Sequence, residues 1–88
     1  MSEGYVTVKI WGGLLGEAAC KFTQLAGTFK SNITIEKTAY MGTNAEFLVG
    51  VLSLNIRRNS YVKIVAEGPD EKEAVEILCG FLDTSKIV

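Results

Sequence analysis

A switch of hydrophobic period near the amino end of the chain does most to limit its fold. Residues 5–11 alternate between apolar and polar side chains, which is typical of a half-buried strand. After the glycine-rich stretch 12–16, apolar residues recur at three- and four-residue spacing over 18–26, which predicts an amphipathic helix. Glycines let the backbone between the two turn sharply or approach a ligand. The pattern therefore predicts a strand–turn–helix unit whose helix start offers unpaired N–H groups to an anion.

Further strands are indicated by the same alternation. Residues 33–37 and 61–67 both alternate, and 39–41 fit a short strand that returns after a turn. In the last strand, Val62 and Ile64 are expected to face the core. An antiparallel sheet with helices on a single face buries all of these apolar stripes together.

Two more helices complete the predicted order. Residues 43–46 fit a capping box, a hydroxyl three positions before a glutamate, ahead of a short apolar helix over 47–54. An acidic start at 68–73 begins the last helix. Its expected buried face comprises Ala74, Val75, Ile77, Leu78, Phe81 and Leu82. Gly80 within it is expected to mark close packing against a neighbour. The predicted order is β-α-β-β-α-β-α, an α+β fold.

Composition limits the function classes. The 88 residues carry a net charge of −1 with scattered basic residues, which argues against nucleic acid as a partner. No apolar run approaches the ~20 residues of a membrane span, so no membrane partner is predicted. The amino end has no signal-like segment, and we therefore expect a cytoplasmic protein.

The cysteine and histidine content excludes several kinds of site. The chain has two cysteines and no histidine. Cys20 and Cys79 lie far apart within helical patterns, where buried free thiols are expected and a disulfide is the weaker interpretation. Two thiols without histidine do not form a closed zinc site, so we predict no metal and no cofactor. Without histidine there is no Ser–His or Cys–His catalysis, and the chain is not expected to be an enzyme.

Several stretches in register resemble HPr, the small phosphocarrier of the bacterial phosphotransferase system. The matching stretches are Phe22-Thr23-Gln24-Leu25-Ala26, Phe29 to Ile35, Gly50-Val51-Leu52-Ser53-Leu54 and Ala66-Glu67-Gly68 with Glu73-Ala74-Val75. The resemblance covers nearly the whole chain. It implies one domain, 1–88, built as an open-faced sandwich with a four-stranded antiparallel sheet and three helices on one face.

The phosphoacceptor motif of that family is altered. The family reads Gly-Leu-His-Ala-Arg-Pro-Ala at the first helix start, where this chain reads Gly13-Leu14-Leu15-Gly16-Glu17-Ala18-Ala19. By this resemblance Leu15 stands in the place of the phosphorylated histidine, and Glu17 in the place of the arginine that steadies the phosphoryl group. We therefore predict that Leu15, Gly16 and Glu17 form a degenerate phosphoacceptor site.

A second modification position implied by the resemblance is also changed. The regulatory serine of many Gram-positive family members falls on Phe47, and its lysine neighbour falls on Glu46. A leucine methyl cannot replace an imidazole nitrogen, and a carboxylate repels phosphate. The predicted role is therefore protein interaction or regulation, with a phosphotransferase-system component or a transcriptional regulator as partner. The alternative is a phosphocarrier that uses a non-histidine acceptor, for which Cys20, Thr23 and Thr43 supply the nucleophiles.

Three hypotheses concern the altered site. In the first, it is ordinary surface, and Glu17 stabilises the helix dipole. In the second, Leu14, Leu15, Phe47 and Leu48, with Trp11 beside them, form an apolar docking patch at two adjoining helix starts, which requires exposed Leu15 and Phe47. In the third, the Glu17 carboxylate occupies the anion position at the helix start. A homodimer through this patch or through a strand edge is also expected.

Overall fold

The computed structural model describes residues 1–84, in the element order that the sequence predicts. The elements are β1 (Ser2–Thr7), α1 (Gly16–Ala26), β2 (Asn32–Thr38), β3 (Met41–Asn44), α2 (Leu48–Ser53), β4 (Tyr61–Glu67) and α3 (Glu71–Leu82). The four strands form one antiparallel sheet in the order β1-β4-β2-β3. The expected domain extends to residue 88, and its last four residues lie outside the described ones. Within residues 1–84, no helix has the length and apolar character needed to cross a bilayer.

The core lies between one face of the sheet and the helices. Ile35 of β2 pairs with Ile64 of β4 at the centre of the sheet, and both are fully buried. Phe22 of α1 and Leu78 of α3 are fully buried against the same layer. The opposite face is open and carries polar and aromatic side chains, including Tyr5 stacked on Tyr61 with ring centroids 5.7 Å apart. The predicted open-faced sandwich is confirmed.

The first strand is shifted relative to its prediction. The alternation indicates a strand over 5–11, whereas β1 ends at Thr7. Val8 and Ile10 are nevertheless buried, because the chain continues under the helices after it leaves the sheet. The Val8 N–H donates to the Ser60 carbonyl at 2.8 Å, outside the strand ladder. The alternation therefore predicts the burial of Val8 and Ile10 correctly, but it predicts the end of the strand incorrectly.

The predicted capping box is wrong. Thr43 and Asn44 end β3, and α2 begins after Phe47, which supplies no side-chain cap. The Asn44 Oδ1 instead accepts the Glu46 N–H at 2.8 Å, forming a tight turn between strand and helix. Thr43 pairs with Ile35 of β2 in the sheet, so it does not lie at a helix start and cannot act as a cap.

Two expectations for the last helix are also wrong. Ala74, Leu78 and Leu82 are buried, but Ile77 is 39% exposed because it lies at the margin of the apolar stripe. Among residues 1–84, a Cβ atom placed on Gly80 would meet nothing within 4 Å, so no described neighbour requires a glycine there.

Candidate functional site

Glycine geometry shapes the loop that leads into α1. Gly12 and Gly13 have φ angles of +90° and +82°, which other residues rarely adopt. The Gly13 N–H donates to the Ile10 carbonyl and the Leu14 N–H donates to the Ile56 carbonyl, both at 2.9 Å. The second bond joins the loop to the segment that follows α2. The loop is therefore fixed at both ends by its own turn and by a distant backbone.

The residues predicted to form the degenerate phosphoacceptor site lie where this loop becomes α1. Leu15 is the half-buried N-cap, with extended backbone and no side-chain cap bond, and Gly16 follows with φ +54°. Leu15 lines a shallow depression of about 240 Å³ together with Trp11, Gly12 and Glu17, among others. Its side chains include a carboxylate and no cation or nucleophile. This end of α1 therefore has the geometry of an anion site without the chemistry for phosphoryl transfer.

The hypothesis that Glu17 fills the anion position is wrong. Its carboxylate is exposed and lies 3.0 Å from the Lys21 Nζ, one helical turn further along α1. Among residues 1–84, no backbone N–H at the helix start donates to it. An exposed pair at this spacing stabilises a helix by only about 0.3–0.5 kcal/mol. Glu17 therefore pairs with Lys21 on the outside of α1 while its side chain still lines the depression at the start of the helix.

The expectation that the starts of α1 and α2 adjoin is also wrong, because the two helices run in opposite directions. A Cβ atom placed on Gly27, just after α1, would lie 3.1 Å from Glu46 Oε1, just before α2. At the other end, Leu14 bonds to Ile56 beyond α2. Since α1 is 11 residues long, about 16 Å separates its two ends. Leu15 and Phe47 thus lie near opposite ends of the helix pair.

Side-chain exposure differs from the predicted docking patch at three residues: one predicted member is buried, and two residues outside the prediction are exposed. Leu14 is fully buried, so it cannot contribute to an exposed contact. Phe47 is 56% exposed, and Leu48 is half-buried against the core. Val49 and Leu52, which the sequence pattern does not single out, are 64% and 38% exposed and lie three residues apart on one side of α2. We name Phe47, Leu48, Val49 and Leu52 the α2 surface.

The α2 surface is positioned by residues outside the helix. The Lys37 Nζ of β2 donates to the carbonyls of Leu54 and Asn55, both at 3.2 Å, at the carboxyl end of α2. A cation there also favours the negative end of the helix dipole. Asn55 then reverses the chain with φ +51°. Near the start, a Cβ atom placed on Gly50 would lie only 2.7 Å from Phe47 Cδ2, so the ring lies directly over the glycine.

The alternative acceptors lack an activating partner. Cys20 is an exposed free thiol on α1, and the Thr23 hydroxyl donates to its carbonyl oxygen at 3.0 Å. Thr43 lies on β3, where it packs against Gly50. Among residues 1–84, no carboxylate lies within hydrogen-bonding distance of any of these three nucleophiles, and the sequence contains no histidine. Within the described part of the chain, none of them has the adjacent base that nucleophilic catalysis requires.

Comparisons with known proteins agree with this fold. A family model described as the PTS HPr component phosphorylation site matches residues 3–84. The chain is 40% identical to the HPr-like protein Crh of Halalkalibacterium halodurans over 94% of its own length and 98% of that protein. HPr-C-His from Thermoanaerobacter tengcongensis superimposes with a TM-score of 0.90 at 33% identity, covering 97% of this chain and 94% of the other.

A further solved structure is relevant to assembly. The catabolite repression protein Crh of Bacillus subtilis, described as an intertwined dimer with a swapped domain, matches with a TM-score of 0.75 at 30% identity over the full length of both chains. The matching family model spans nearly all of the present sequence, and two Crh proteins are similar to it over nearly their whole length. The chain therefore belongs to the HPr family of the bacterial phosphotransferase system.

Proposed function

We propose that this protein is a regulatory member of the HPr family that binds a protein partner and does not carry a phosphoryl group. The observation that carries the proposal is the chemistry at the start of α1. Leu15 has no atom that can accept a phosphoryl group, and Glu17 lies nearby with its carboxylate bound to Lys21. A phosphoryl group brought to this position would meet a negative charge where transfer needs a positive one.

The α2 surface supports an interaction role. Phe47, Val49 and Leu52 expose apolar side chains along one short helix, and exposed apolar clusters mark interaction sites in soluble proteins. Phe47 also stands in the place that the resemblance assigns to the regulatory serine, and its ring cannot be phosphorylated. We infer that the surface is permanently apolar and is not switched by phosphate at this position. A phosphotransferase-system component or a transcriptional regulator is the expected partner.

The names of the relatives fit a regulatory role. The similar Bacillus subtilis protein is described as a catabolite repression protein. We propose a related regulatory role for the present chain, exerted through the α2 surface. Its edge strands β1 and β3 leave backbone groups unpaired, which favours association of copies. We therefore expect light scattering to detect a dimer whose population increases with protein concentration.

Phosphate incorporation tests the proposal directly. The protein is incubated with labelled phosphoenolpyruvate and the phosphotransferase-system enzyme that uses it, with a histidine-containing HPr as the positive control. We expect label on the control and none on this chain. Stable label on the chain would establish the alternative, a non-histidine acceptor, and peptide mapping would show whether Cys20, Thr23 or Thr43 carries it.

A matched pair of variants tests the α2 surface. Leu52 and Ile77 are 38% and 39% exposed and lie on different helices. The affinities of L52S and I77S for the purified phosphotransferase-system enzyme and for a purified transcriptional regulator of catabolite repression are compared by calorimetry. Loss of one buried leucine contact corresponds to about a tenfold loss of affinity. We expect that loss for L52S alone, and equal affinities for the two variants would contradict the role of the α2 surface.

A further inference from the structure

Two neighbouring arginines lie on the turn between α2 and β4, and the described residues offer neither an acidic partner. Arg57 and Arg58 are both exposed, and no carboxylate among residues 1–84 forms an ion pair with either guanidinium. Among residues 1–84, three lysines form ion pairs, in Lys9–Asp83, Lys21–Glu17 and Lys63–Glu3. The single lysines Lys30, Lys37 and Lys72 form none there, but only Arg57 and Arg58 place two such cations side by side. The part of the chain that the structure describes therefore leaves two adjacent positive charges without an ion pair, on a protein whose net charge is −1.

The backbone beneath these arginines is fixed. The Arg57 N–H donates to the Ser60 Oγ, and the Ser60 N–H donates back to the Arg57 carbonyl, both at 3.0 Å. The Asn59 N–H donates to the Val8 carbonyl at 2.7 Å, and Asn59 has φ +75°. The turn is thus closed by its own residues and attached to the chain that follows β1. Because the backbone of this turn is already ordered, it loses little conformational entropy when it binds a partner.

The turn packs directly on the glycine loop before α1. A Cβ atom placed on Gly13 would lie 2.8 Å from the Arg57 Cα, which shows how closely the two backbones approach. The same loop carries Trp11, whose side chain is 77% exposed. Tryptophan and arginine are the residue types that most often dominate binding energy at protein interfaces. The loop that carries Trp11 and the turn that carries the two arginines therefore lie at one end of the molecule, where Trp11 also lines the depression that contains Glu17.

We propose that Trp11, Arg57 and Arg58 form a binding surface for an acidic segment of the partner protein, named here the Trp–Arg surface. The proposal rests on the proposed function, because it assumes that a protein partner approaches this end of the fold. Planar guanidinium groups bind carboxylates through paired hydrogen bonds. Glu17, on the neighbouring helix start, repels the same carboxylates. The acidic segment is therefore directed toward the turn and away from the start of α1.

The tryptophan supplies a built-in probe, because Trp11 is the single tryptophan of the sequence. Its fluorescence is followed while the whole protein is titrated with a capped decapeptide of glutamate and serine. The same peptide with glutamine in place of glutamate is the ligand control. We expect binding by the glutamate peptide only, and a loss of affinity when the salt concentration rises from about 50 to about 300 mM.

Two double variants separate a local surface from net charge. R57Q/R58Q removes the proposed cations, while K30Q/K72Q removes two exposed cations that lie on other elements. Each variant changes the net charge by the same amount. We expect R57Q/R58Q to weaken binding about fivefold, as two exposed ion pairs would, and K30Q/K72Q to bind as the parent does. Circular dichroism verifies that both variants remain folded.

Several outcomes would overturn the Trp–Arg surface. These are equal weakening by both double variants, equal binding of the glutamine peptide, or failure of the glutamate peptide to bind the parent protein. None of them bears on phosphate incorporation or on the L52S comparison. If L52S loses its partner while the glutamate peptide fails to bind, the proposed function stands and only the acidic nature of the contact is wrong.

Discussion

The Asp70 carboxylate accepts hydrogen bonds from both the backbone N–H and the hydroxyl of Ser31, 39 residues earlier in the chain. It also accepts the Lys30 N–H at 2.9 Å. These bonds attach the loop before β2 to the start of α3, and the bond from the Ser31 hydroxyl does most to lower the pKa of Asp70. The side chain that precedes α3 thus joins two loops and does not cap its own helix.

The neighbouring Glu71 gives a prediction about acid stability. Its carboxylate accepts the Ser2 hydroxyl at 2.6 Å, lies 2.9 Å from the amino group of Met1 and accepts the Gly68 N–H at 3.3 Å. The Ser2 bond, then the amino group and Gly68, lower the pKa of Glu71 to about 2 from an ordinary 4.5. The folded state therefore binds this proton less readily than the unfolded state, so its stabilisation is complete above pH 4.5 and is lost as the pH falls toward 2.

We expect E71Q to melt at a lower temperature than the parent protein at pH 7 and to lose less stability than the parent between pH 4.5 and about 2. Thermal unfolding followed by circular dichroism at closely spaced pH values measures both effects. E73Q, on the same first turn of α3, is the control and should retain the parent's pH dependence. An E71Q profile parallel to that of the parent would contradict the assignment.

Gly80 and Gly50 predict opposite effects of one substitution. None of residues 1–84 approaches within 4 Å of a Cβ atom placed on Gly80 in α3, so G80A should raise the free energy of unfolding by about 1 kcal/mol. At Gly50, a Cβ atom would collide with Thr43 and would lie 2.7 Å from the Phe47 ring, so G50A should lower it by roughly 1–3 kcal/mol. Urea unfolding provides both values, and destabilisation by G80A would show that unseen packing exists there.

The two glycines of the loop before α1 should respond differently to alanine. Both have positive φ, but only Gly13 has a close neighbour, the Ile56 carbonyl oxygen at 2.7 Å from a placed Cβ atom. G12A should cost about 1–2 kcal/mol of backbone strain, and G13A should cost roughly 1–3 kcal/mol more through crowding. Equal unfolding free energies for the two variants would mean that the backbone at Ile56 and Arg57 does not pack closely against this loop.

Restoring the family's phosphoacceptor residues should restore phosphoryl transfer in part. L15H supplies the imidazole but retains the repelling Glu17 carboxylate, so we expect slow labelling from phosphoenolpyruvate. L15H/E17R adds the missing cation and should label at least about tenfold faster, since one such group is worth ~10²–10³ in rate where the site is fully assembled. L15H/E17Q separates removal of the negative charge from addition of the positive one. Identical rates for all three variants would show that residue 17 plays no part.

The sequence predicts the elements well because hydrophobic period is local. Val62, Ile64 and Ala66 face the core as their alternation indicates, and the positive φ angles of Asn55 and Asn59 match the usual preference of asparagine. The candidate site is harder to predict, because burial in a glycine-rich loop follows no period. Leu14 and Leu15 are adjacent leucines, yet a backbone bond to Ile56 accompanies the burial of the first, while the second is half-exposed.

The relative placement of the helices is the other feature that could not be predicted from the sequence. Nothing in the spacing of apolar residues reveals that Glu46 lies beside Gly27, since that contact depends on how the β2–β3 hairpin returns the chain. The prediction therefore placed Phe47 beside Leu15, whereas the two residues lie near opposite ends of the helix pair. The sequence pattern also does not indicate that the turn carrying Arg57 and Arg58 packs against the glycine loop before α1.

The attachment of α2 at its carboxyl end has a consequence for how such a protein diversifies. Lys37 of β2 and the backbone turn at Asn55 hold that end in place, and neither contact involves the exposed side chains of the helix. Substitutions at Val49 or Leu52 can therefore accumulate across a lineage with little damage to folding. The scaffold can change its partners one surface residue at a time while its architecture stays constant.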